Sequence, residues 1–162
     1  MVFYEDFIKK VNPNTKGEGK EKFGLDAKKA MIWLGTGIPF LIAGLLELYI
    51  CFNNGFSKKD LIIGLVFIFL SSRHIRMYAT YKVTLDFDVK KLISKDITFS
   101  FDEVKSCVLK EQQLGRRKKL DTVIDVVLDD GREVIIPLMM NKKLRFVNLI
   151  YNQLGRRFTI QK

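Results

Sequence analysis

The chain of 162 residues has little of the side-chain chemistry on which most active sites depend, with one histidine, two cysteines and three prolines. Two cysteines form at most one bridge, which excludes a disulfide-rich scaffold. His74 would have to meet Cys107 or a serine to form a nucleophile–base pair, and no motif supports such a pair. A Walker loop, a GxGxxG fingerprint and a CxxC pair are also missing. We therefore predict that the protein is not an enzyme and has no catalytic, cofactor-binding or metal site.

Charge is abundant overall but missing from two stretches of the chain. Lysine and arginine number 28 against 18 aspartate and glutamate residues, so the net charge is +10, and 48% of the residues are hydrophobic. That hydrophobic content is too high for a mostly disordered chain. The positive excess favours an anionic partner, either lipid headgroups or a nucleic acid. Residues 31–52, however, contain one charged side chain and residues 61–72 contain none.

The stretch 31–52 predicts a helix that crosses a membrane. Its length reaches roughly 33 Å as a helix, enough for a hydrocarbon core of ~30 Å. Apolar residues occupy all of its sides, so no amphipathic stripe indicates packing on a soluble core. A long polar segment precedes it and no small-residue cleavage site follows, which argues against a secretory signal. The alternative is a helix buried in a protein core.

The stretch 61–72 predicts a second membrane helix that needs its flanks to span. Alone it would reach only roughly 18 Å, but Arg73 and Arg76 can extend their charged ends to the interface while their stems stay in hydrocarbon. Asn54-Gly55 in the linker is typical of a tight reversal. We therefore predict a helical hairpin over residues 27–79; the alternative is a re-entrant or interfacial second segment.

The distribution of lysine and arginine predicts the orientation of this hairpin. Positive residues collect at the cytoplasmic ends of membrane helices. The loop between the stretches offers Lys58 and Lys59 only. The other end carries seven basic residues. The four nearest the stretches, which we take to set the orientation, are Lys28, Lys29, Arg73 and Arg76, and the other three are Lys20, Lys22 and Lys82. We expect a multi-pass protein of the cell (inner) membrane with both termini in the reducing cytoplasm, where Cys107 is a free thiol.

Small residues and one carboxylate within the first stretch have two interpretations each. Gly37 and Gly44 can let another helix approach closely, or they can be ordinary glycines of a membrane helix. Glu47 lies five residues from Phe52, which favours an interfacial carboxylate over a proton relay.

The second half of the chain alternates apolar and polar residues, as half-buried strands do. Asp130-Gly131 between two such runs predicts a tight hairpin, and Pro137 ends the last run. The polar residues 112–119 interrupt the pattern and predict a loop. The predicted strands cover residues 81–88, 93–101, 104–111, 122–128 and 133–136.

An amphipathic helix follows the last predicted strand. Asn141 is a good N-cap, and Gly155 is a natural residue beyond the C-terminus. Its predicted buried face consists of Leu144, Val147, Ile150, Tyr151 and Leu154, and its predicted outward face consists of Lys142, Lys143, Arg145, Asn148 and Asn152.

The order of these elements, with Tyr81-Lys-Val-Thr-Leu-Asp-Phe-Asp88 leading from a membrane hairpin into the strands, resembles the YcxB-like group of bacterial membrane proteins. The resemblance covers roughly residues 31–157. It implies a pleckstrin-homology-like (PH-like) domain, a small antiparallel β-barrel capped by a C-terminal α-helix, and therefore an α+β fold. The chain departs from it in showing five strands where that domain has seven. The predicted domains are a cytoplasmic segment over 1–26, the hairpin over 27–79 and the PH-like domain over 80–162, with a short helix near residues 3–11.

Two basic clusters are the candidate binding residues of that domain. Lys90 and Lys91 occupy the first hairpin, where the resemblance implies that lipid-binding relatives gather positive charge. The second cluster, on the predicted loop, consists of Arg116, Arg117, Lys118 and Lys119. Each lysine or arginine near an anionic leaflet contributes on the order of 1 kcal/mol. The alternative is a solvated surface that only follows the positive-inside rule.

These features favour a membrane-anchored, non-enzymatic binding module for anionic membrane lipid or a protein partner. Nucleic acid is not expected as a partner, because the sequence shows no recognition helix and no aromatic-studded sheet. One alternative is a homo-oligomer that packs through Gly37 and Gly44 to form a pore or an accessory subunit. Another is an immunity-type protein that protects against a membrane-active toxin.

Overall fold

The protein is an α+β protein made of two compact units, as seen in a computed structural model that describes residues 4–94, 97–113 and 120–161. The helix unit is Leu25–Tyr81, and the sheet unit combines Met1–Gly24 with Lys82–Lys162. The predicted α+β class is confirmed. The N-terminal residues, which the sequence separates from the second half, belong to the same unit as that half.

The helix unit contains two long apolar helices. The short helix α1, Tyr4–Ile8, belongs to the sheet unit. The helices of the helix unit are α2, Ala27–Asn53, and α3, Lys58–Thr80. The Asp26 carboxylate caps α2 by accepting the Lys28 N–H at 3.0 Å. Both helices are long and apolar enough to cross a membrane. Only 17% of the most apolar 18-residue stretch of α2 and 11% of that of α3 is buried, whereas the core helix of a soluble protein is mostly buried.

The first sheet of the sheet unit pairs a strand that precedes the helices with strands that follow them. Its antiparallel order is β1-β2-β3-β4. In the register of β1 and β2, Gly24 lies opposite Lys82 and Lys20 lies opposite Asp86. The predicted strand 93–101 is divided here between two strands. The bounds are β1 Lys20–Gly24, β2 Lys82–Asp86, β3 Lys91–Ser94 and β4 Ile97–Ser100.

The second sheet has the order β7-β6-β5-β8, with β8 parallel to β5 and the other pairs antiparallel. Gly131 has a φ of +84° in the turn between β6 and β7, which confirms the predicted Asp-Gly hairpin. Within the described ranges, the strand pairings form two open sheets and no closed barrel. The bounds are β5 Val104–Gln113, β6 Leu120–Leu128, β7 Glu133–Pro137 and β8 Phe158–Ile160.

Helix α4, Lys143–Leu154, packs aromatic rings against strands of both sheets. Phe146 meets Phe23 of β1 edge to face with centroids 5.1 Å apart, and Tyr151 stacks on Phe158 of β8 at 4.8 Å. Gly155, with a φ of +54°, ends the helix as predicted. The predicted N-cap is wrong, because Lys142 occupies that position with no side-chain hydrogen bond.

The N-terminal segment is hydrogen-bonded to α4 and to the second sheet. The Tyr4 hydroxyl lies 2.9 Å from the Leu109 carbonyl and 2.6 Å from that of Gln161, and burial raises the pKa of this hydroxyl. The Asn12 N–H donates to the Asn148 side-chain oxygen at 2.9 Å. The predicted outward position of Asn148 is therefore wrong, since its side chain is buried under the segment that precedes the helices.

Replacing Asn148 with alanine will loosen the N-terminal segment. The substitution removes the acceptor of the Asn12 N–H, and losing one partner of a part-buried hydrogen bond costs about 1–3 kcal/mol. Hydrogen exchange at the Asn12 amide should accelerate accordingly. Asn152→Ala, which removes an exposed hydrogen bond to the Pro13 carbonyl, is the matched control and should have the smaller effect. Equal protection of Asn12 in wild type and Asn148→Ala would contradict this role.

Candidate functional site

The contact between α2 and α3 depends on glycines that let the two backbones approach. A Cβ on Gly44 would lie 2.8 Å from Ile68 Cγ1 and 3.0 Å from the Gly64 carbonyl oxygen. A Cβ on Gly37 would lie 3.2 Å from the Cβ of His74. The space beside both predicted packing glycines is thus filled by α3 of the same chain. In contrast, no atom outside the adjacent backbone of α2 lies within 4 Å of the Cβ position of Gly35.

Polar groups line part of this helix contact. The Thr36 hydroxyl lies 3.4 Å from His74 Nδ1, which gives the single histidine a hydroxyl neighbour. Ser71 is fully buried, and its hydroxyl has no hydrogen-bond partner within the described part of the chain. Cys51 is buried at the other end of the pair, where its thiol donates to the Ser57 carbonyl at 3.3 Å. None of these groups forms a nucleophile–base pair in the described residues.

The basic residues predicted to orient the hairpin share one end of the helix pair. Lys28 and Lys29 lie in the first turn of α2, and Arg73 and Arg76 lie in the last two turns of α3. Because Gly37 packs against His74 and Ile75, the start of α2 and the end of α3 are neighbours. Lys28, Arg73 and Arg76 are exposed. All four positive charges therefore lie at the end opposite the loop.

The basic hairpin of the sheet unit lies at the end of β2 that is remote from the helices in the chain. Lys91 pairs with Asp86, the last residue of β2, whereas the chain arrives from α3 at Lys82, the first. Lys90 has a φ of +50° and an ion pair with Asp102 at 3.8 Å. Both partners are exposed, so this pair contributes little stability. The other predicted cluster, Arg116, Arg117, Lys118 and Lys119, lies outside the described residues.

Three exposed lysines surround the point at which the chain leaves and re-enters the first sheet. Lys82 lies opposite Gly24, and Lys22 lies opposite Thr84 on the neighbouring strand. Lys142 follows Asn141, whose N–H donates to the Gly24 carbonyl at 2.9 Å. We call this set, Lys22, Lys82 and Lys142, the lysine end of the sheet. Sequence patterns do not bring it together, because β1 and β2 are separated by the whole helix unit.

Acidic residues neutralise lysine and arginine elsewhere on the same strands. Lys20 forms an ion pair with the buried Asp86 at 3.0 Å, and this hydrogen bond holds the pKa of the Asp86 carboxyl below its usual value. Arg145 of α4 makes a two-pronged contact with Glu21, both distances being 2.7 Å. No comparable ion pair forms at the lysine end among the described residues.

Cys107 lies in the core of the sheet unit and is not placed for nucleophilic chemistry. It is fully buried in β5, and burial, with a smaller contribution from Asp125, raises the pKa of its thiol to about 12. The thiolate is the reactive form of cysteine, so this side chain is inert near neutral pH. The part of the chain that the structure describes also contains no group of three His, Cys, Asp or Glu residues that could hold a metal ion.

No protein-family model matches the chain, and comparison with curated proteins and with solved structures finds no significant match. The resemblance to YcxB-like proteins accordingly stays a prediction.

Replacing Gly44 with alanine will weaken the contact of α2 with α3. The new methyl group would meet backbone as well as side chain, and overpacking of this kind costs typically 1–3 kcal/mol. The labelling rate of the Cys51 thiol in detergent micelles measures separation of the helices, because that thiol of α2 is buried and donates to the carbonyl of Ser57, the N-cap residue of α3. We expect roughly tenfold faster labelling, since tenfold corresponds to about 1.4 kcal/mol.

Gly35→Ala is the control for this experiment. It adds the same methyl group to the same helix where nothing lies within 4 Å. Its labelling rate should equal that of the wild type. If both variants labelled at the same rate, the packing role of Gly44 would be refuted.

The raised pKa of Cys107 predicts both slow labelling and a stability loss at high pH. In the unfolded chain the thiol ionises near 9, but in the folded protein it keeps its proton up to about 12. Stability from this group is therefore complete below pH 9 and is lost as the pH rises from 9 towards 12. Denaturant titrations of Cys107→Ala and wild type, run from about pH 8 to about pH 11, measure the free energy of unfolding. This free energy should decline more steeply with pH in the wild type. The same pH dependence in both proteins would contradict a destabilising ionisation of Cys107.

Proposed function

We propose that the protein is a non-enzymatic, membrane-anchored binding module, in which α2 and α3 span the cell membrane and hold the sheet unit at its cytoplasmic face. The observation that carries this proposal is the exposure of the apolar helices. Residues such as Tyr49, Phe52 and Phe69 are each more than two thirds exposed. Large exposed apolar surface is stable in lipid and costly in water, where it favours aggregation.

The sheet unit supports the module part of the proposal because it has a core of its own. Its fully buried side chains come from both sheets and from α4, among them Phe23, Leu85, Leu109, Ile124 and Phe146. A unit with its own core can fold as a domain and offer a binding surface that does not include the apolar helices.

Among the described residues, seven strands, β1–β7, precede α4, and this number supports a PH-like domain. It matches the count that the YcxB-like resemblance implies, once the strand before the helices is included and the run 93–101 is divided in two. The open sheets and the additional strand β8 are the features of this chain that depart from a barrel capped by its last helix.

The cytoplasmic position of the sheet unit is supported by the end of the helix pair that bears positive charge. Lys28, Lys29, Arg73 and Arg76 lie at the end where the chain joins the sheet unit, as the positive-inside rule requires. The partner of the module is an anionic lipid or a protein segment. Gly37 and Gly44 give no separate support to an oligomeric pore, because α3 already fills the space beside them.

Cysteine accessibility tests both the span and the orientation. Cys51 and Cys107 are buried, so an introduced exposed cysteine is the main target of a membrane-impermeant thiol reagent. Asn54→Cys in the loop should be labelled in intact cells. Val89→Cys, in the exposed turn between β2 and β3, should be labelled only after the membrane is permeabilised.

Labelling of Val89→Cys in intact cells would overturn the orientation. Extraction of the wild-type protein from membranes by alkaline carbonate would overturn the span, since integral helices stay in the lipid.

A further inference from the structure

We infer that the lysine end of the first sheet binds the anionic phospholipid headgroups of the membrane that α2 and α3 span. This inference rests on the proposed function and names the surface and the partner that the module uses. It differs from the sequence-based expectation, which assigned lipid binding to Lys90, Lys91 and the basic loop.

Covalent connection brings the lysine end to the membrane surface. Leu25 and Asp26 separate β1 from α2, and Tyr81 alone separates α3 from β2. One residue spans at most about 3.6 Å, so these links keep Gly24 close to the first residue of α2 and Lys82 close to the last residue of α3. Lys91 of β3 pairs with Asp86, which lies four residues beyond Lys82 along β2, a distance of roughly 13 Å.

Two of the three lysines share the outer face of the sheet. Residues opposite each other in an antiparallel pair point to the same side, so Lys22 points with Thr84, and Lys82 points the same way two residues along β2. The alternate residues Phe23 and Val83 are buried on the inner face. Lys22 and Lys82 are thus diagonal neighbours, and their like charges repel unless an anion lies between them.

Lys142 adds a third charge beside the same strand ends. The hydrogen bond from Asn141 to the Gly24 carbonyl fixes the chain there, and Lys142 holds a left-handed conformation with a φ of +49°. All three side chains are exposed, and none forms an ion pair among the described residues. The nearest acid on β1, Glu21, is already bound to Arg145.

Charge complementarity identifies lipid phosphate as the occupant. A tethered ammonium group is a compact point charge that binds phosphate oxygens in any orientation, without the geometry a specific pocket needs. An anionic leaflet supplies such phosphates at high local concentration beside the tether. From the contribution of each lysine near such a surface, three lysines favour the docked orientation by on the order of 100-fold.

The test uses the full chain reconstituted into phosphatidylcholine liposomes with or without phosphatidylglycerol. A fluorophore on Thr84→Cys lies beside Lys22, and a nitroxide on lipid headgroups quenches it on contact. We expect phosphatidylglycerol to increase the quenching and high salt to reverse the increase. The triple variant Lys22→Gln, Lys82→Gln, Lys142→Asn should lose that increase; asparagine is chosen at 142 because it tolerates a positive φ.

A matched control removes the same number of charges from other positions of the sheet unit. Lys90→Asn, Lys91→Gln, Lys105→Gln likewise replaces one left-handed lysine and two strand lysines, all exposed. It should keep the full response to phosphatidylglycerol. Equal responses of the two triple variants would overturn the inference, as would quenching that does not depend on phosphatidylglycerol. Failure of the wild-type protein to float with liposomes of either composition would instead overturn the membrane anchor itself.

Discussion

The pairing of β1 with β2 is the constraint on which the rest of the protein depends. Five residues of the N-terminal segment complete the first sheet, although the whole helix unit intervenes between the two strands. Through this pairing Phe23 reaches Phe146 of α4, and Glu21 reaches Arg145. Without it the core would lose an aromatic contact and α4 would lose its contacts with β1. The long loop that the pairing closes costs entropy that grows only slowly with length, so a stable insertion is tolerated.

Local patterns predicted the elements that carry their own signal. The apolar stretches gave the two long helices, and Asp130-Gly131 gave the hairpin between β6 and β7, because each signal lies within one short segment. β1 and β8 have no clear signal of their own, since β1 has one large apolar side chain and β8 is only three residues long. Asn148 was placed outward because helical periodicity treats a polar residue as solvated. Its acceptor role needs the Asn12 backbone, which lies more than a hundred residues earlier.

The candidate site shows the same limit for charge. Counting lysines by region treats Lys20, Lys22 and Lys82 alike, as residues that orient the hairpin. The strand register separates them: Lys20 is matched by the buried Asp86, whereas Lys22 and Lys82 form no ion pair among the described residues. Lys90 and Lys91, singled out as a local cluster, belong to the end of β2 remote from the link to α3. Only the pairing partners reveal which positive charges are neutralised within the protein.

In the proposed docking, a double connection lowers the electrostatic attraction that is needed to orient the sheet unit. A domain on one flexible linker samples many orientations, and a surface must offset the entropy of choosing one. Here the chain leaves the first sheet at Gly24 and re-enters it at Lys82, two residues that are paired in the sheet, so both links are attached at neighbouring points. In that docking, the three lysines of the lysine end act at short range, where attraction to an anionic leaflet is least screened by salt.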